Sequence, residues 1–213
     1  MDLSSPLTSL IPSLDSAVLE VLAGTESALG GSKIHELSGR GSRQGLVNAL
    51  ERLVAHGIVS AEPTNWGSMY RLNRDHLLTP AVLLAADARR DLIRQLADAC
   101  TAMRPAARSV AIFGSVARND SNSDSDIDLV FIVDDGGADP DGWATQVDDL
   151  SGRVAAWTGN RLEAVTHTVG HLAELIRAGE PIIESWRTDA ITIAGTDLRT
   201  LINHIAYGAP VAS

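Results

Sequence analysis

The run from Ser109 to Val133 leaves this chain the fewest choices. It reads Ser-Val-Ala-Ile-Phe113, then Gly114-Ser115-Val-Ala-Arg118, a polar and acidic loop, and Asp126-Ile-Asp128-Leu-Val-Phe-Ile-Val133. Two apolar runs separated by a Gly-Ser turn and an acidic loop predict strand, turn, loop, strand. The unbroken stretch Leu129 to Val133 predicts a central strand buried on both faces. Side chains alternate along a strand, so in a strand over 126–133 the Asp126 and Asp128 carboxylates point the same way, about 7 Å apart. Carboxylates at the start of a buried strand are costly without a cation. Gly114 lets backbone come close to a phosphate, Ser115 offers a hydroxyl, and a helix starting there adds free N–H donors. Two carboxylates beside such a turn suit divalent-metal and nucleoside triphosphate chemistry.

The chain has 213 residues, 45% of them hydrophobic, enough for one large domain or two small ones around a real core. No apolar run approaches the ~20 residues that span a bilayer, and residues 1–12 lack a signal-peptide pattern, so a cytoplasmic protein without a membrane partner is expected. Cys100 is the only cysteine, which excludes an intrachain disulfide and a thiolate zinc cage and leaves helix packing as its role. The net charge of −10 is uneven: residues 1–78 carry six Lys/Arg against eight Asp/Glu, and the remainder eleven against nineteen. Contact with DNA is therefore expected to be local to a few residues of the first part, and weak or dimer-dependent.

In that first part, Leu14, Val18, Leu19, Val21 and Leu22 have helical spacing over 14–23. Ser32 reads as the cap of a short helix from Lys33 to Leu37. Ser42 reads as the N-cap of a longer one, with the apolar stripe Leu46, Leu50, Leu53 and Val54 and a stop at Gly57. Strand Ile58 to Glu62, turn Pro63 to Ser68 and strand Met69 to Asn73 follow. Three helices, a short Gly-containing turn between the last two and a hairpin resemble a winged helix-turn-helix. That resemblance places Arg43, Gln44, Val47 and Asn48 toward a major groove, Asn65, Trp66 and Ser68 at the wing tip, and Arg40 and Arg43 near phosphates. Packing or dimerisation is the competing role for such a module.

A long Ala- and Leu-rich helix is predicted over 81–102, ended by Pro105. After Val133 come a loop from Gly136 to Gly142, a helix over 143–157 with Trp143, Val147, Leu150, Val154 and Trp157 facing a core, and a strand from Arg161 to Thr166. Helices over 170–178 and 180–188 and a strand from Ala190 to Ala194 complete the pattern. The fold class expected is α+β: a winged helix-turn-helix domain over 1–78, a connecting helix over 79–104, and a small mixed-sheet domain flanked by helices over 105–213.

Gly114-Ser115-Val-Ala117-Arg118 followed by Ser125-Asp126-Ile-Asp128-Leu resembles the signature of the DNA polymerase beta-like nucleotidyltransferase superfamily, and within it the minimal nucleotidyltransferases, over about residues 106–200. The resemblance implies transfer of a nucleoside monophosphate, AMP from ATP, to an acceptor hydroxyl with Mg2+. Gly114, Ser115 and Arg118 would bind the donor, and Asp126 and Asp128 the metal. A third carboxylate from a later strand would serve as metal ligand and base, and Glu163 is the candidate. Two positions depart from the pattern. Asn119 replaces a glycine, but asparagine tolerates left-handed backbone. Glu163 replaces an aspartate and carries one more methylene. Arg118 has a second reading, as the ion-pair partner of the acidic loop.

Little chain follows the last strand, so a macromolecular acceptor is expected, and the resemblance implies a protein toxin. Operator DNA and a homodimer are further expected partners. The alternative reading is a DNA-binding transcriptional regulator whose inactive nucleotidyltransferase domain senses nucleotide. Asp120 to Asp124 imitates half a calcium loop, but Ser125 and Phe131 occupy the positions that require glycine and glutamate. His167 and His171 have the spacing of a metal pair, yet read as satisfied or exposed histidines.

Overall fold

The computed structural model describes residues 1–136 and 139–208. The chain divides into two compact units, Ser4–Arg89 with Asp2, and Arg90–Ser213 with Met1 and Leu3. No helix among the described residues is long and apolar enough to cross a membrane.

The first unit contains a 3-10 helix Pro6–Ser9, α1 Leu14–Ala23, β1 Leu29–Gly30, α2 Gly31–Ser38, α3 Arg43–Ala55, β2 Val59–Thr64, β3 Gly67–Leu72 and α4 Thr79–Ala86. The Ser42 hydroxyl accepts from Gly45 N at 3.1 Å, the cap the sequence called for, worth about 1 kcal/mol. Leu46, Leu50 and Leu53 of α3 are buried with Val18, Leu19 and Leu22 of α1 and Ile34 of α2, as apolar positions three and four apart require. The sheet is antiparallel in the order β1-β3-β2.

Local expectations needed correction here. The short helix begins at Gly31 with Gly30 as cap, so Ser32 lies inside it. Pro63, Thr64 and Ser68 belong to the paired strands, and the connection is only Asn65-Trp66. The two-residue β1, paired with Tyr70 and Met69, has no local sequence signal. The single helix over 81–102 is two, α4 and α5 Ala88–Ala102, because Asp87 takes ψ −1° and turns the chain off the helix axis. The division between the units falls two residues into α5.

The second unit continues with β4 Ser109–Phe113, α6 Gly114–Arg118, β5 Ile127–Val133, α7 Pro140–Thr158, β6 Leu162–Thr168, α8 Val169–Ala178, α9 Pro181–Asp189, β7 Ile191–Gly195 and α10 Leu198–Tyr207. Its sheet runs β6-β5-β4-β7 and is mixed: β5 pairs antiparallel with β4 and parallel with β6, while β7 is antiparallel to β4. β5 is central, and Leu129 to Ile132 are fully buried, as an unbroken apolar run demands. One face packs on α5 and α7, where Phe131 meets the Trp143 ring edge-on at 5.5 Å. The other packs on α8, α9 and α10 through Leu172, Ile183, Trp186, Leu198 and Ile202. Cys100 is buried on α5.

Here too boundaries moved. The loop expected over 136–142 includes residues 137 and 138, which lie outside the described residues, and α7 starts at Pro140, capped by the Asp139 carboxylate on Gly142 N at 2.9 Å. β6 runs on to Thr168, and α10 had no counterpart in the sequence reading.

Candidate nucleotide and metal half-site

β4 and β5 deliver the central residues to one end of the sheet. Phe113, the last residue of β4, pairs with Asp128 in β5, and Asp128 pairs across the parallel ladder with Glu163 in β6. In-register neighbours share a face, with strands about 4.8 Å apart, so Asp128 and Glu163 lie side by side. Asp126 precedes β5 instead of belonging to it: ladder pairing starts at Ile127, whose N–H donates to Arg161 O at 2.9 Å.

Gly114 opens α6 at φ +68°, and the Asp128 carboxylate covers its backbone. A Cβ there would fall 3.0 Å from Asp128 Cγ and nearer still to Oδ2. Only glycine satisfies both the left-handed backbone and this close approach. α6 ends at Asn119 in left-handed geometry, φ 60° and ψ 36°, as asparagine at that position implied. Among the described residues Asn119 has the only positive φ outside glycine.

Asp128 is half-buried. Burial, then the neighbouring charges of Asp126 and Glu163, raise its pKa above the ordinary carboxylate value, and Arg118 opposes the rise. Asp126, Asp128, Glu163 and Arg118 are thus within electrostatic reach of one another. Carboxylate oxygens such as those of Asp126 and Asp128 are of the hard donor type that Mg2+ takes.

Two cations are otherwise engaged. Arg118 forks onto Asp120, Nε to Oδ2 at 3.1 Å and Nη2 to Oδ1 at 3.4 Å, which is the acidic-loop pairing. Arg161 Nη2 donates to Glu163 Oε1 at 2.8 Å. Glu163 therefore stands beside Asp128 in register with its carboxylate drawn to Arg161. Among the described residues no three His, Cys, Asp or Glu side chains are gathered to hold a metal ion.

Two residues outside the sequence reading shape this end of the sheet. Asn160 is 4% exposed, and its Nδ2 donates to Ser125 O at 2.9 Å and Ser123 O at 3.5 Å. It thereby holds the loop that delivers Asp126. Arg161 is the other, and its signal was available: residues two apart in extended chain share a face, so Arg161 meets Glu163.

In the first unit, Arg43, Gln44 and Asn48 are exposed on α3, and Trp66 is 97% exposed at the hairpin tip. Gln44 Nε2 donates to Asn48 Oδ1 at 2.9 Å, and Arg43 Nη2 to Ser32 Oγ at 3.1 Å. Val47 is half-buried. Arg40 Nη1 donates to Thr8 Oγ1 at 2.7 Å, and its charge acts on the half-buried Glu20.

Residues 93–163 match the family model of the nucleotidyltransferase domain, a span that contains Gly114, Ser115, Asp126, Asp128 and Glu163. No curated protein sequence matches the chain. A solved structure of a toxin–antitoxin with AMP-PNP is similar over 55% of this chain and 82% of that one, at 15% identity and a TM-score of 0.38. A likeness that distant carries no argument about this chain.

Proposed function

We propose that the second unit binds ATP and transfers its AMP to a hydroxyl of a macromolecular acceptor, while the first unit binds operator DNA and regulates the chain's own expression. The observation that carries the catalytic reading is the Gly114 turn lying under the Asp128 carboxylate with Asp126 close enough to raise its pKa. The nucleotidyltransferase-domain match over the same residues supports it.

Gly114 and Ser115 bind the donor phosphates, and Asp126 and Asp128 hold Mg2+, which when bound neutralises phosphate charge and orients the donor. Arg118 leaves Asp120 to reach a phosphate, exchanging one exposed pairing for another. Glu163 takes the proton of the acceptor hydroxyl as that oxygen bonds to the α-phosphorus. The bond from the α-phosphorus to the bridging oxygen breaks, and pyrophosphate leaves with the electron pair. Glu163, released from Arg161, would be the third carboxylate available to hold Mg2+. The acceptor we assign is a protein toxin, on the sequence resemblance to minimal nucleotidyltransferases alone. For the first unit, a three-stranded sheet beside α3 and the exposure of Arg43, Gln44, Asn48 and Trp66 support the winged helix-turn-helix reading. Arg40, tied to Thr8, holds the N-terminal segment instead. Two copies bound to a symmetric operator would supply the affinity that an acidic chain lacks.

A specific observation favours a second reading. Glu163 and Arg118 are both paired away from the half-site, as in a protein that senses nucleotide without turning it over. Purified chain with Mg2+, α-labelled ATP and candidate acceptors separates the two. Labelled acceptor, lost at least 100-fold in Asp126→Asn/Asp128→Asn, supports transfer. Saturable ATP binding without transfer, together with ATP-dependent retention of operator DNA that Arg43→Ala weakens, supports the sensor. Absence of Mg2+-dependent triphosphate binding overturns both.

A further inference from the structure

The end of β6 and the first turn of α8 bring two histidines together on the opposite side of β6's length from the carboxylates. His167 is four residues beyond Glu163, about 13 Å along the strand. His167 Nδ1 and His171 Nδ1 are 3.0 Å apart, the ring centres 4.6 Å, and the ring planes cross at 79°. Among the described residues neither ring makes another hydrogen bond or ion pair, although the His167 ring lies 5.9 Å from that of Trp186.

In a head-on hydrogen bond at this separation, with about 1.15 Å from ring centre to nitrogen, the ring centres would be about 5.3 Å apart. The observed 4.6 Å is too short for that. Two imidazole nitrogens about 2.1 Å from one ion and about 90° apart at it lie about 3.0 Å from each other, the separation of this pair. The pair thus has the spacing of two ligands on one ion.

The backbone under both rings is fixed without help from a ligand. His167 is paired in the ladder with Ile132, and the first turn of α8 is held by Thr168 Oγ1 accepting from His171 N at 3.1 Å. Asp135 accepts from Gly170 N at 3.0 Å, so its carboxylate is occupied on the helix backbone. Burial, then the neighbouring ring, lowers the His167 pKa and favours the neutral form that ligates. His171 is exposed, which gives an ion access from solvent.

We propose that His167 and His171 form a bidentate site for a borderline divalent transition-metal ion, of the Zn2+ and Ni2+ class, through their two Nδ1 atoms. Two imidazoles favour such ions over Mg2+, which takes oxygen ligands, so this site and the carboxylate half-site differ in the metal they select. No third His, Cys, Asp or Glu among the described residues completes it, and water or an incoming ligand fills the remaining positions. A bound ion ties the end of β6 to α8. The proposal does not depend on nucleotidyl transfer.

The test uses full-length, untagged chain carrying Asp126→Asn/Asp128→Asn, so that the carboxylates do not take the ion, titrated calorimetrically with NiCl2 at pH 7.5. One Ni2+ per chain is expected, unaffected by millimolar Mg2+ and released at pH 5.5, where protons compete for the imidazoles. His171→Ala, at an exposed position that leaves the metal-free melting temperature within a few degrees, should weaken binding at least tenfold, and His167→Gln should do the same. Binding that persists at full affinity in His171→Ala, or no more uptake by the parent than by the His167→Gln/His171→Ala double variant, would overturn the site. The other four histidines serve as the internal control in that double variant.

Discussion

Arg161→Ala removes the guanidinium that holds Glu163, and the size of its effect follows from exposure. The side chains are 79% and 51% exposed, so the 2.8 Å pair is screened and contributes about 0.2–1 kcal/mol. Unfolding in urea should therefore lose no more than about 1 kcal/mol. If the freed Glu163 joins Asp126 and Asp128 around a cation, the same energy is recovered on binding. Apparent Mg2+ affinity in the presence of a non-hydrolysable ATP analogue should then rise by about 1.4- to 5-fold, at about 1.4 kcal/mol per tenfold. Loss of any nearby positive charge would also raise Mg2+ affinity. The measurement is therefore repeated in Glu163→Gln, where the Arg161→Ala effect should vanish if it acts through that carboxylate. An equal gain in both backgrounds, or none in the parent, refutes the placing of Glu163 in the metal shell.

Gly114→Ala should destabilise by about 1–2 kcal/mol through its left-handed backbone alone, and should abolish triphosphate binding because its methyl displaces the Asp128 carboxylate; calorimetry with the ATP analogue checks this. Burial raises the folded-state pKa of Glu20 above its unfolded value of 4.5, so its stabilising contribution is complete below that value and is lost as pH rises through the folded pKa. Glu20→Gln keeps an acceptor for Leu7 N, now bonded to Oε1 at 3.1 Å, and should therefore be more stable than the parent at pH 7 by urea denaturation, with the difference gone by about pH 4. The Cys100 thiol, pushed up to about 12 by burial, should not react with a thiol reagent at pH 8 until the chain is unfolded, as absorbance of the released chromophore would show.

The parts of the half-site that are local in sequence were readable there. Gly114 and Asn119 carry their left-handed backbone in their own side chains, or the lack of one, and Leu129 to Ile132 announce a doubly covered strand by composition alone. What escaped depends on partners distant in the chain. β1 exists only because β3 offers Tyr70 and Met69 to pair with, and Asp87 interrupts an Ala- and Leu-rich run whose helix propensity is continuous. Placing Asp126 in β5 overlooked that the ladder with β6 begins at Ile127. The bond from Arg40 to Thr8 joins residues far apart in sequence and had no local signal. The histidine pair was set aside because Gly170 lies between its members and no glutamate follows the first.

Asn160 reaches back 35 residues to grip the carbonyl of Ser125, next to Asp126. The acidic loop is thus an arch whose keystone belongs to another part of the chain. The grip is on main-chain carbonyls that any residue supplies, while inside the loop the Asn122 side chain accepts from Asp124 N at 2.8 Å, and the tolerance to insertion is narrow because arch and keystone must arrive together. A designer wishing to move the half-site to a new sheet would have to transplant two separated segments, 114–128 and 160–163, and supply between them a buried strand and a helix that do the work of β5 and α7.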